Sequence, residues 1–305
     1  MKSSKTSEQG LGWSLDERDP KFIEEMMPYW KWFYDYYFRV KTDGWHHIPP
    51  QGPILLVGSH NGGLASPDTS MMMYDWFRRF GTERLCYGLM HQSAWKMNSP
   101  VVDWAMKTGA VRAHPRNAIA ALRKGASVLV YPGGAEDVFR PYRDRHKIEL
   151  AGRKGFIKLA LRENVTIIPV ISVGSHETLF VIGDCYEQLK ILHEWGILRL
   201  DKADPQIFPI YLGLPWGIAI GPAPNIPLPI PMHTRVCPPI VFERYGREAA
   251  NDRGYVDTCY DLVVTKMQQA LDQLVIDSKK DFYANALSLP ESLINRQEEP
   301  VMSII

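Results

Sequence analysis

A short apolar run that breaks into glycines and then into a helix start constrains the fold of this chain more than any other feature. Ile54-Leu55-Leu56-Val57 runs into Gly58-Ser59-His60-Asn61-Gly62-Gly63, and Ser66-Pro67-Asp68 follows. An apolar run without polar alternation predicts a strand buried on both faces of a sheet. Gly58, Gly62 and Gly63 free the backbone to turn. Ser66 is expected as helix N-cap, Pro67 as the first helical residue and Asp68 as a first-turn acid. The arrangement returns twice. Ser127 to Tyr131 leads into Pro132-Gly133-Gly134-Ala135-Glu136-Asp137, and Val165 to Val173 leads into Gly174-Ser175-His176-Glu177. Strands alternating with helices predict an α/β fold with a mixed, mostly parallel central sheet flanked by helices.

The rest of the chain fits around that frame. Residues 1–19 read as a mobile polar tail, 20–283 as one domain and 284–305 as a loose C-terminal tail. Residues 22–40 have a helical pattern crowded with aromatics, among them Tyr29, Trp30, Trp32, Phe33, Tyr34, Tyr36, Tyr37 and Phe38. So many rings spread around most of a helix, which suits either a helix lying on a bilayer or one docked over the core. Pro28 is expected at a kink or a helix start. Further helices are expected after Pro67, after Ser99-Pro100, over 117–124 and over 153–164. Residues 207–239 are apolar, rich in proline and glycine and nearly free of charge, which predicts a loop folded under the core or facing lipid. Tyr255 to Ser278 carries Val256, Val263, Met267, Leu271 and Leu274 on one helical stripe.

Bulk properties exclude several functions. A formal net charge of +1 argues against a nucleic-acid partner. Cys86, Cys185, Cys237 and Cys259 are scattered, so neither a disulfide framework nor a zinc site is signalled, and a reducing, cytoplasmic setting is expected. Met1 to Gly12 lacks the apolar core of a signal peptide, and no apolar run approaches the roughly 20 residues of a spanning helix. A soluble or peripherally membrane-bound protein is the expectation, with no bound cofactor or metal.

The chemistry is expected at the glycine-rich strand ends, where ligands bind in open α/β sheets. A histidine there can act as general base, and a nearby carboxylate can fix its tautomer and stabilise its protonated form. His60 has Asp68 as the nearest candidate, although Asp68 can equally serve only the helix dipole and His60 only the loop. The turn at Gly133-Gly134 exposes backbone N–H groups suited to an oxyanion. Residues 139–158 are locally basic and suit either donor phosphates or a solvated surface. Gly58-Ser59-His60-Asn61-Gly62 places histidine where a nucleophile elbow needs serine, and no P-loop or dinucleotide fingerprint occurs. The remaining combination fits proton abstraction from a hydroxyl and attack on an activated acyl carbonyl.

At these residues the chain resembles the glycerolipid and lysophospholipid acyltransferase superfamily, most closely the branch of the type-two diacylglycerol acyltransferases. His60 with Asp68 is similar to the family's His–Asp block, and Gly109-Ala110-Val111-Arg112 to the block ending in a substrate-binding arginine. Tyr131-Pro132-Gly133-Gly134-Ala135-Glu136 resembles the Pro-Gly-Gly-Ala block. Gly152-Arg153-Lys154-Gly155-Phe156 with Ile168-Pro169-Val170 resembles the Arg-Lys-Gly-Phe segment and its following strand. The resemblance implies His60, Asp68 and Glu136 as catalytic candidates, and Arg112, Gly133, Gly134, Arg153 and Lys154 as substrate-binding ones. It implies acyl transfer from acyl-CoA or an acyl-carrier protein to a hydroxyl at a membrane lipid surface. Seven residues separate His60 from Asp68, against four in the phosphate-accepting branch, so Glu136 stands as a rival orienting acid. Gly133 also stands where that branch carries a phosphate-binding glutamate. A neutral acceptor is therefore expected, diacylglycerol-like or a prenyl or long-chain alcohol. The alternatives are a lysophospholipid or glycerol-phosphate acyltransferase, a thioesterase or lipid hydrolase using the same site, and a non-enzymatic lipid-binding protein.

Overall fold

Leu55 and Val57 face one side of their strand and Ile54 and Leu56 the other, and all four are buried. Residues two apart on a strand share a face, so both faces of this strand must be covered. A computed structural model describes residues 10–96, 100–197 and 207–287. In chain order it contains α1 (Pro20–Trp32), β1 (Lys41–Asp43), β2 (Leu55–Gly58), α2 (Pro67–Phe80), β3 (Cys86–Met90), α3 (Pro100–Lys107) and β4 (Ala110–Arg112). Then come α4 (Pro115–Arg123), β5 (Ser127–Val130), α5 (Gly134–Val138), α6 (Gly155–Glu163), β6 (Ile167–Val173), β7 (Phe180–Asp184) and α7 (Tyr186–Glu194). The chain continues through β8 (Pro209–Gly213), β9 (Gly217–Ile220), β10 (His233–Val236), α8 (Arg247–Asn251) and α9 (Arg253–Leu287).

The main sheet has seven strands in the order β1-β10-β6-β2-β5-β3-β4. From β6 to β4 every pairing is parallel; β10 pairs antiparallel with β6, and β1 runs parallel to β10. This is the mixed, mostly parallel sheet expected from the alternation of strands and helices. On one side Leu55, Val57 and Val128 pack with Ile157 and Leu161 of α6 and Val263, Met267 and Leu271 of α9. On the other, Leu56, Leu129 and Ile168 pack with Met72, Trp76 and Phe77 of α2 and Ile23 and Trp30 of α1. Because β6, β2, β5, β3 and β4 are parallel, their carboxyl ends lie along one edge. The loops after β2 and β5 meet there, side by side.

Several expectations are corrected. Residues 10–18 are not a free tail. Arg112 N–H donates to Gly12 O at 2.9 Å and the Tyr87 hydroxyl to Leu15 O at 3.0 Å, so this segment docks beside β4 and β3. The aromatic helix starts at Pro20, not Phe22, with Asp19 accepting from the Lys21 and Phe22 N–H groups. Pro28 is interior to it, on an exposed face where its missing N–H strands no buried partner. Trp30, Tyr34 and Phe38 are buried while Tyr29, Trp32, Phe33 and Tyr36 are exposed, so the segment is docked over the core and still presents rings to the outside. Residues 207–239 are not one continuous loop, although 221–232 are largely irregular. They hold β8 and β9, which join β7 in a separate antiparallel sheet, and β10 of the main sheet. The prolines sit where strands tolerate them, Pro209 at the start of β8 and Pro215 in the turn between β8 and β9. α9 continues to Leu287, beyond the expected start of the C-terminal tail at residue 284; residues 288–305 lie outside the described residues.

Candidate active site

His60 sits at the carboxyl end of β2, held by the loop that follows. Its Nδ1 is 2.9 Å from Asp68 Oδ2, and the same oxygen accepts from the Asn61 N–H at 2.9 Å. A carboxylate accepts, so the proton of the neutral ring sits on Nδ1 and Nε2 keeps its lone pair. The seven residues between His60 and Asp68 span this distance because Gly62, Gly63 and Ser66 all adopt positive φ, folding the loop back on itself. Ser66 occupies the N-cap position expected of it, and its carbonyl accepts from the Ser70 N–H. Its hydroxyl makes no capping bond and instead lies 3.3 Å from His60 Nε2 and 3.2 Å from Gly63 O. The His60 ring stacks on Tyr131 at a centroid distance of 4.4 Å and 24°.

His60 is 18% exposed and Asp68 3%. Burial works against the imidazolium, but the charge and hydrogen bond of Asp68, helped by Asp137, outweigh it, so the pKa of His60 lies above the usual histidine value. Burial also pushes the Tyr131 phenol well above 10, so the ring under His60 stays neutral.

A second carboxylate fixes the backbone of the loop. Asp137 accepts from the His60 N–H, from the Ser59 hydroxyl at 3.1 Å and from the Arg140 guanidinium. Arg140 also donates to Asn61 Oδ1 at 2.9 Å and to Asp144 O at 2.9 Å. Burial pushes Asp137 up to about 6, opposed first by Arg140, which leaves it ionised at neutral pH. His176 donates from Nε2 to Arg140 O at 2.8 Å; burial and then Arg140 bring its pKa down to about 4, so it is neutral. Asp137, Arg140, Asn61, Tyr131 and His176 lie within the motifs read from the sequence but were not among its candidate site residues. The spacing of Asp137 and Arg140, three residues apart at the end of a short helix, is the signal that marks the pair.

The structure divides the sequence-derived candidates. Asp68 reaches His60. Glu136, its rival, pairs with Arg153 at 3.1 Å, and Arg153 also donates to Pro132 O at 3.0 Å and to Gly133 O. Arg153 thereby ties down the Pro-Gly-Gly turn. Gly133 is required by packing, since a Cβ there would lie 2.1 Å from Glu149 O. Gly134 has φ +57 and begins α5. Lys154 pairs with Asp257 on α9 at 2.8 Å and is not brought to His60. Arg112 ends β4, on the same sheet edge but three strand spacings from β2, about 14 Å. Its Nε donates to Leu11 O at 2.6 Å, and its guanidinium lies over Trp13 and Trp95. The basic run is largely neutralised in place: besides the Arg140, Arg153 and Lys154 pairs, Arg143 and Lys147 bond Asp144, and Arg145 bonds Glu177.

This geometry belongs to a sequence that matches the diacylglycerol acyltransferase family over residues 23–275. The chain belongs to that family. Diacylglycerol O-acyltransferase 2 of Xenopus laevis is 23% identical over 86% of this chain and 69% of its own. An uncharacterized protein of Mycobacterium leprae is 28% identical over 87% of this chain and 68% of its own. The chloroplastic phytyl ester synthase 1 of Arabidopsis thaliana is 26% identical over 47% of this chain and 21% of its own. The family makes this protein an acyltransferase of neutral lipids or glycerolipids. Among the described residues of this family member, no helix is long and apolar enough to cross a membrane.

Proposed function

We propose that this protein moves a fatty acyl group from an acyl thioester, acyl-CoA or an acyl-carrier protein, to the hydroxyl of a neutral lipid alcohol met at a membrane surface. The observation that carries the mechanism is the Asp68–His60 pair with Nε2 turned away from the carboxylate. Nε2 takes the acceptor's hydroxyl proton as the oxygen attacks the thioester carbonyl carbon. The C–S bond then breaks and the proton passes from His60 to the departing sulfur. Asp68 stabilises the imidazolium between these steps.

A neutral acceptor follows from charge. A phosphate monoester carries close to two negative charges and needs fixed cations or N–H donors. The cations beside the His60 loop, Arg140 and Arg153, are ion-paired with Asp137 and Glu136. Diacylglycerol-like and prenyl or long-chain alcohols fit such a site; lysophosphatidic acid and glycerol 3-phosphate do not. Competition between these acceptors for one acyl donor on the purified enzyme tests the assignment. Preference for the neutral alcohols is expected, and preference for a phosphate acceptor overturns it.

A second reading rests on Ser66. Its hydroxyl lies 3.3 Å from Nε2 of a histidine held by an aspartate, in a left-handed conformation just before a helix. That is the order of a Ser–His–Asp triad, and it supports a thioesterase or hydrolase working through an acylated serine. Direct transfer predicts that Ser66→Ala keeps turnover within about tenfold. Acyl-Ser66 trapped by mass spectrometry, with Ser66→Ala inactive, favours the hydrolase.

A further inference from the structure

From Ile207 to Thr234 the chain contains no lysine, arginine, aspartate or glutamate. Much of this stretch is spent on the small sheet, whose strands pair Phe180 with Leu212 and Leu212 with Ile218. The next row inward along the strands, Val181, Tyr211 and Ala219, points the other way and packs on Val138, Phe139 and Leu179. Alternation therefore turns Phe180, Leu212 and Ile218 outward, together with Ile220, and all four are exposed; Ile218 is 71% and Ile220 62% exposed. Leu214 and Trp216, in the turn beyond β8, extend the same exposed apolar surface. An apolar surface this continuous marks an interaction site.

We infer that the outer face of β7-β8-β9 is the surface on which this enzyme docks on a phospholipid bilayer. The inference rests on the acyltransferase reading and names the side of the molecule from which that site meets its acceptor. Three observations select a bilayer over a protein partner. The outward side chains are Phe, Leu and Ile without a hydrogen-bonding group among them. The indole N–H of Trp216 is bonded inward to Pro224 O at 2.7 Å, so the ring can enter an apolar phase without stranding a donor. The surface is also continuous with the catalytic loop. Asn225, on the same stretch, donates to Gly62 O at 3.1 Å and accepts from the Ala65 N–H at 3.2 Å, and Leu64 between them is exposed. The inner face of the sheet rests on Val138 and Phe139, which follow the Pro-Gly-Gly turn. A bilayer on the outer face therefore lies beside His60, where an alcohol dissolved in it is within reach.

The test uses the full chain, phosphatidylcholine vesicles and the double variant Ile218→Asp, Ile220→Asp. Because no charge is involved, the wild type is expected to float with these vesicles equally in low and high salt. The double variant is expected to lose about tenfold or more in vesicle binding while acylating a water-soluble short-chain alcohol at the wild-type rate. Quenching of the wild-type tryptophan fluorescence by brominated phosphatidylcholine, reduced by Trp216→Phe, reads the same contact without a charged substitution. A double variant that floats like the wild type, a wild type that stays unbound, or a wild-type dimer that the double variant dissociates each overturns the assignment. Failure of the wild type to acylate the soluble alcohol counts instead against the mechanism, and the flotation still decides the surface.

Discussion

His60 must be neutral to accept a proton, and Asp68 raises the pH at which it becomes so. A raised pKa in a base moves the acidic limb of the rate profile upward: activity falls as pH drops through a value above 6.5, the ordinary histidine value. Asp68→Asn removes the main opposition to burial, so the limb should move to lower pH while the plateau rate falls about 100-fold or more through loss of orientation. Glu136→Gln should leave the limb where it is, because Glu136 is ion-paired with Arg153 rather than with His60. A kcat/KM profile against pH for the three proteins checks both statements. An unmoved limb in Asp68→Asn would remove Asp68 from its role. The pairing of His60 with Asp68 was legible in the sequence as a candidate, from a histidine at a glycine-rich strand end with an acid in the first turn of the following helix. The choice between Asp68 and Glu136 was not, because it depends on the three positive-φ residues that fold the loop back.

Among the elements, the helical turn that follows α1, residues 33–37, is fastened to α2 by a buried polar cluster. The Asp75 carboxylate, fully buried, accepts from the Tyr34 hydroxyl at 2.9 Å, from Arg78 Nε and from Arg79 Nε at 3.1 Å. Burial pushes the Tyr34 phenol up to about 12, so it stays a donor at any working pH. Asp75→Ala leaves that hydroxyl and the guanidinium groups without their acceptor and should destabilise the protein by about 3 kcal/mol, whereas Tyr34→Phe should cost about 1 kcal/mol. Urea unfolding measures both, and equal stabilities would show that apolar packing alone holds the turn after α1. The same contrast explains which elements the sequence revealed. β2, β5 and β6 are apolar runs with turns at their ends, and their identity is local. β8 and β9 are assembled between prolines and present isoleucines and leucines outward, a pattern that composition alone reads as a loop. The docking of residues 10–18 depends on backbone carbonyls of Leu11, Gly12 and Leu15, which leave no mark in a polar sequence.

At the scale of the whole molecule, the main sheet brings the loops after β2 and β5 to one edge, and the small sheet stands against them with its apolar face outward. The family fixes the reaction class, and the loop geometry is the ground on which His60 and Asp68 are proposed for it. Removing the imidazole tests that selection most directly. The measurement is ester formation from an acyl thioester and a neutral long-chain alcohol by the purified protein, wild type against His60→Ala. A drop of about 100- to 10,000-fold with unchanged thermal unfolding is expected. A His60→Ala protein that turns over at near the wild-type rate would contradict the assignment of His60 as the base.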